Sequence, residues 1–170
     1  MPSSIFYPTD AISGARVIID EVHHETHGGN HYTISHVETS AGTGVTVMIT
    51  TPAGGQLHMT FQIVSSAAGS WIFSEAPGAS AGTALSVINN KRDSSNTSGA
   101  VVKWAVTWAT SGTVLQKGTI GAAGIPVNEA GGTGEPRNEW LLASSQTYLI
   151  RIVPSAASTI TVGVGFYKEA

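Results

Sequence analysis

Five of the six histidines fall in one stretch, Val22 to His36, which reads Val-His-His-Glu-Thr-His-Gly-Gly-Asn-His-Tyr-Thr-Ile-Ser-His; the sixth is His58. Imidazoles this dense could ligate a divalent cation or move a proton. A zinc-protease helix needs histidines four apart with Glu directly after the first. His24 and His27 are three apart, and Gly28 stands where the second ligand belongs. The following Gly-Gly-Asn would break such a helix. A metal site on a β scaffold is the stronger alternative: His27 and His31 flank the turn and His23 lies on the approaching strand, so three imidazoles could converge. Against this stands the simpler reading, in which these side chains hydrogen-bond across strands and brace the turn. That reading is preferred. No metal and no cofactor is expected, and His23, His27 and His31 are the candidate ligands should one bind.

Other reactive constellations fare worse. No Gly-x-Ser-x-Gly elbow occurs, so an esterase-type nucleophile has no seat. The carboxylates available for glycoside cleavage are Glu75, Glu129, Glu135 and Glu139, of which Glu135 and Glu139 bracket a loop. Four tryptophans could stack on sugars, but Trp104 and Trp108 share a period of two with Val106, as core residues do. Lys91, Arg92 and Arg137 are isolated basic points in polar loops and are candidate partner contacts.

The elements that must carry these residues are strands. Only 11% of the residues are charged, and there are 20 glycines and no cysteines, which fits a sheet protein with many short turns and no disulfides. A net charge of −3 gives no attraction for phosphate, so nucleic-acid binding is not expected. No leader peptide and no apolar run of membrane-spanning length is seen, so no membrane partner is expected and synthesis in the cytosol is.

Met1 to Gly14 lacks periodicity and is expected to be an arm, with Ile5, Phe6 and Tyr7 able to dock on a partner. From Ala15 to Ala170 a single β domain is expected. Ala15 to Glu25 reads as a strand, and the histidine stretch as two strand ends around Gly28-Gly29-Asn30. Alternating runs predict strands at Gly44 to Thr51, Leu57 to Ser65 and Gly69 to Glu75. Ala100 to Ala109 reads as the clearest strand, with Thr113 to Ile120 as its hairpin partner. An extended loop is expected over Gly121 to Arg137, and strands at Glu139 to Ala143, Thr147 to Val153 and Thr159 to Tyr167. No helix is expected. The pattern predicts an all-β, antiparallel two-sheet β-sandwich, jelly-roll-like, with the extended N-terminal arm.

Three patches carry a resemblance. His23-His24-Glu25-Thr26-His27-Gly28 with His31-Tyr32-Thr33 resembles a motif of capsid decoration (cement, or head-auxiliary) proteins of tailed bacteriophages. Gly82-Thr83-Ala84-Leu85 with Asn89-Asn90-Lys91-Arg92 is similar to a loop of that family. Gly134-Glu135-Pro136-Arg137, Trp140-Leu141-Leu142 and Thr147 to Ile152 resemble its C-terminal strand pair. The resemblance implies a non-enzymatic virion structural protein on the capsid exterior, bound to the major capsid protein and self-associated as a homotrimer. It carries over no catalytic residue. Two rival readings remain open: a carbohydrate- or receptor-binding β-sandwich module of a phage fibre or tail, and a metal-dependent jelly-roll enzyme.

Overall fold

The computed structural model describes residues 21–121, 128–131 and 139–168. The arm, Met1 to Gly14, with its Ile5, Phe6 and Tyr7, lies outside the described residues, as does Arg137.

Two antiparallel sheets face each other. The first joins β1 (His31–Ser40), β3 (Leu57–Ser65) and β14 (Ser158–Lys168), with β14 hydrogen-bonded between the other two. Its far edge is shared by β11 (Asn128–Gly131) and β12 (Trp140–Leu142), which pair with successive parts of β3. The second sheet runs β10 (Thr113–Ile120), β4 (Gly69–Glu75), β13 (Thr147–Pro154), β2 (Val45–Thr50). The pairs β1/β2, β3/β4 and β13/β14 each step from one sheet to the other. This is jelly-roll order, as the alternation in the sequence predicted.

The excursion between β4 and β10 decorates this frame. Its short strands β6 (Thr83–Ala84) and β8 (Val101–Trp104) extend the second sheet beyond β2, and β7 (Ile88–Asn89) pairs with the end of β1. The remaining β5 (Ala79–Ser80) and β9 (Thr107–Trp108) form a two-stranded ribbon.

The inward faces follow the period of two. In β14, Ile160, Val162, Val164 and Phe166 are buried, while Thr161, Gly163 and Gly165 face out. In β13, Tyr148, Ile150 and Ile152 enter the same core. Phe73 lies at its centre, with Phe61, Trp140 and Tyr148 ring centroids at 5.5, 5.2 and 5.8 Å. Fully burying a side chain of this size contributes about 1.5–3 kcal/mol. A second, smaller apolar cluster lies on the outer face of the second sheet. There Met48, Val106 and Leu149 pack with Ala79 and Trp108, and the Arg151 guanidinium sits 3.9 Å over the Trp108 ring.

Four expectations are corrected. First, Glu21–Gly28 is a helix, α1, not a strand end. The Gly-Gly-Asn that reads as a hairpin turn is its C-terminal cap. Gly29 takes φ 77°, its N–H donates to the Thr26 carbonyl at 3.1 Å, and the Asn30 N–H donates to the Glu25 carbonyl at 2.9 Å. This pair of bonds is a Schellman cap, which needs the same positive φ that a tight hairpin needs. Second, Ala100 to Ala109 is not one strand. Ala105 has φ 52°, and Thr46 satisfies the kink by accepting the Ala105 N–H on its carbonyl and the Val106 N–H on its hydroxyl. Trp104 therefore stays on the sandwich, its ring 4.4 Å from that of His36, while Val106 and Trp108 move to the outer cluster. Third, β10 pairs with β4 and not with the strand before it. Fourth, the segment expected as a loop from Gly121 to Arg137 contains β11, which the exposed edge of β3 recruits.

Candidate functional site

The histidine stretch wraps one corner of the first sheet. On α1, His23 and His27 stand one turn apart, with ring centroids 4.5 Å apart in edge-to-face contact. Reading the stretch as a strand hid this pair; a helical reading reveals it as i and i+4. The buried Glu25 carboxylate accepts from Asn30 Nδ2 at 3.0 Å and lies 3.3 Å from His24 Nδ1. Thr26 Oγ1 donates to the Val22 carbonyl at 2.8 Å.

His31 does not join His23 and His27. Its Nδ1 accepts from Asn90 Nδ2 at 2.7 Å and lies 3.1 Å from Thr26 Oγ1. Burial lowers its pKa from the ordinary 6.5, so it is neutral at pH 7. With Nδ1 accepting, the ring proton is on Nε2. Among the described residues, no group of three His, Asp or Glu side chains is arranged to hold a metal ion.

The loop Asn89-Asn90-Lys91-Arg92, remote in sequence, closes this corner. Asn89 Nδ2 donates to the Gly29 carbonyl at 2.9 Å and to the Asn96 carbonyl at 3.1 Å. Asn90 Oδ1 accepts from Thr33 Oγ1 at 2.9 Å, and the Asn90 N–H donates to the His31 carbonyl at 2.9 Å. Asn96 Nδ2 donates to Asn30 Oδ1 at 3.1 Å. Two of the three stretches that carry the sequence resemblance thus form one hydrogen-bonded unit. Within this polar loop Asn89 and Asn90 are half-buried and turn toward the corner. Lys91 and Arg92 remain exposed.

Beside this corner is a cavity of about 210 Å³. Its floor comes from a row set by strand register: His31 on β1 faces Tyr167 on β14, which faces His58 on β3. The His58 ring lies flat on Tyr167, 4.6 Å between centroids and 5° between planes. Glu139, just before β12, ties both: Tyr167 Oη donates to Oε2 at 3.0 Å, and His58 Nδ1 lies 3.2 Å from Oε1. Thr60, Gly165 and Val22 complete the lining.

Next to the cavity, sharing Thr60 and Gly165 with it, a shallow trough lies along the outer face of β14. Gly163 and Gly165 form its floor, with Thr33 on one bank and Thr60 and Gln62 on the other. Neither glycine has the positive φ that would require it. Among the described residues, a β-carbon at Gly163 would meet nothing within 4 Å, and one at Gly165 would sit 3.5 Å from Thr60 Oγ1 and 3.6 Å from His31 Nε2. Glycine within a strand costs about 0.5–1 kcal/mol relative to alanine, so the fold accepts that cost twice in a central strand without a conformational reason.

Sequence reasoning noticed His58 and Glu139 separately but not together. The only available signal was the alternation that places His58, Gly163, Gly165 and Tyr167 on outward positions. No family model matches the chain, and no curated protein matches it.

Proposed function

We propose that the chain is a non-enzymatic virion structural protein that attaches to the outside of an assembled bacteriophage capsid and stabilises it, as a decoration subunit acting in trimers. The observation that carries this reading is the union of the histidine stretch with the Asn-Asn-Lys-Arg loop. The motif residues hold each other, and the loop they fix presents Lys91 and Arg92 to solvent. Cations held in place on a braced loop lose little freedom on binding, which favours recognition of an acidic patch on a large partner.

The physical role follows from mass action. A subunit that binds only the assembled shell stabilises that shell in proportion to its occupancy. Its partner is the major capsid protein. A cyclic trimer needs one further contact, between two different patches of neighbouring copies, for which Met1 to Gly14, with Ile5, Phe6 and Tyr7, is the proposed reach to a neighbour, and Arg137 a further partner contact.

The test is direct. Purified protein is mixed with undecorated heads and imaged. Ordered added density at local three-fold positions, with a raised disruption temperature of the heads, is expected. The double charge reversal Lys91→Glu with Arg92→Glu should weaken attachment about tenfold or more. Heads that gain neither density nor heat resistance would sink the reading.

A further inference from the structure

We infer that the trough along β14 and the cavity at its end bind a neutral oligosaccharide, one sugar unit in the cavity and the next over the glycine floor.

The chemistry of the lining selects the ligand. At the closed end His31 Nε2–H is a donor, because Asn90 occupies Nδ1 and burial keeps the ring neutral. The Glu139 carboxylate is an acceptor with lone pairs beyond those used by Tyr167 and His58. A hydroxyl both donates and accepts, so vicinal hydroxyls can satisfy the donor and the acceptor together. An anion would meet the Glu139 carboxylate; an ammonium would meet the His31 N–H. Neither satisfies both. Glu139 is the only carboxylate among the described residues lining cavity and trough, and no lysine or arginine is among them. The Thr60 hydroxyl on one bank and the Thr33 oxygen on the other, whose own proton goes to Asn90 and whose lone pairs can accept, then provide polar groups beside the floor for a sugar's edge.

The floor selects the shape. Bare backbone at Gly163 and Gly165 is flat and lets a ring lie close to the sheet. Glycine in a strand interior, where no backbone angle demands it, often marks a place where a ligand or another backbone comes close. No described residue lies within 4 Å of where a β-carbon at Gly163 would be, which leaves room for the second unit.

The experiment uses the full chain on a printed panel of neutral oligosaccharides built from hexose and N-acetylhexosamine units, with sialylated and sulfated glycans alongside. The best neutral glycan is then titrated by calorimetry. Binding to neutral glycans longer than one unit is expected. Gly165→Thr, which fills the trough, should lower affinity about tenfold or more while the melting temperature holds or rises, since threonine suits a strand better than glycine. Glu139→Gln should also lower affinity about tenfold, with the fold intact by circular dichroism. Three results would overturn the inference. They are no binding to any neutral glycan, preference for the anionic glycans, and undiminished binding by Gly165→Thr. If Gly165→Thr abolished attachment to heads while wild type bound no glycan, the trough would be a protein-docking surface and the inference would likewise fall.

Discussion

Asn90 Nδ2 donates to His31 Nδ1 across 2.7 Å, joining a loop residue to the first residue of β1. The same amide accepts from Thr33 Oγ1, so one side chain fixes the tautomer of the imidazole and the position of its own loop. Replacing Asn90 with Ala leaves a half-buried imidazole nitrogen and a hydroxyl without this partner. Such losses cost about 1–3 kcal/mol. Urea unfolding of Asn90→Ala should show a lower midpoint with an unchanged slope. An unchanged midpoint would mean that water replaces the amide at no cost.

The pH dependence of stability follows from His31. Its folded pKa lies below the ordinary 6.5, because burial disfavours the charged ring. The unfolded chain therefore takes up this proton first as pH falls. Stability from this group is fully present above pH 6.5 and declines as pH drops below it. Melting temperatures between about pH 7.5 and about pH 5, a window that straddles the ordinary imidazole value, should fall on the acid side, and His31→Gln should flatten that fall. A curve of the same slope in the variant would assign the effect elsewhere.

In the core, Tyr148 Oη donates to Glu75 Oε1 at 2.9 Å and accepts the Ala143 N–H at 2.9 Å. Burial first, and the Glu75 hydrogen bond second, push its pKa up to about 12. Its neutral form is favoured by folding, so this contribution is whole below the ordinary value of 10.0 and is lost as pH rises toward about 12. Absorbance titration should show Tyr148 resisting ionisation until the protein unfolds, with Tyr32, whose pKa burial also raises, delayed beside it. Tyr148→Phe should destabilise by about 1–3 kcal/mol, since a carboxylate and an amide lose their shared partner.

Gly29 tests the cap. A β-carbon there would be strained at φ 77° and would press on the Ser94 side chain, 2.8 Å from its Cβ. Gly29→Ala should cost more than about 1 kcal/mol and loosen the Asn89–Asn96 loop with α1. Amide hydrogen exchange at Asn30 and Lys91 reads this: faster exchange is expected at both, and protection equal to wild type at both would refute the cap.

Much of the frame is written in the alternation. Val45, Val47 and Ile49, or Ile160 through Phe166, cannot swap faces without exposing a whole set of apolar side chains, so register and face are forced. What stayed hidden has local causes. Helix α1 is short and carries polar residues on every side, so it has no apolar stripe to announce it, and its cap uses the residues a hairpin would use. The Ala105 kink is invisible because alanine gives no sign of a positive φ; Thr46, on another strand, imposes it. The His58–Tyr167–Glu139 group arises only when β3, β14 and β12 come into register, which no window of sequence can display.

The order of strands has a kinetic consequence. The middle of the first sheet is β14, so β1 has no full-length neighbour, and His31 no Tyr167, until nearly all of the described chain has been made. Nearly every sheet contact bridges distant parts of the sequence, a topology of high contact order that folds on the order of milliseconds to seconds. During synthesis β1 and β3 wait with open edges. Nascent chains should thus depend on dilution or chaperones until Ser158–Lys168 slots between them.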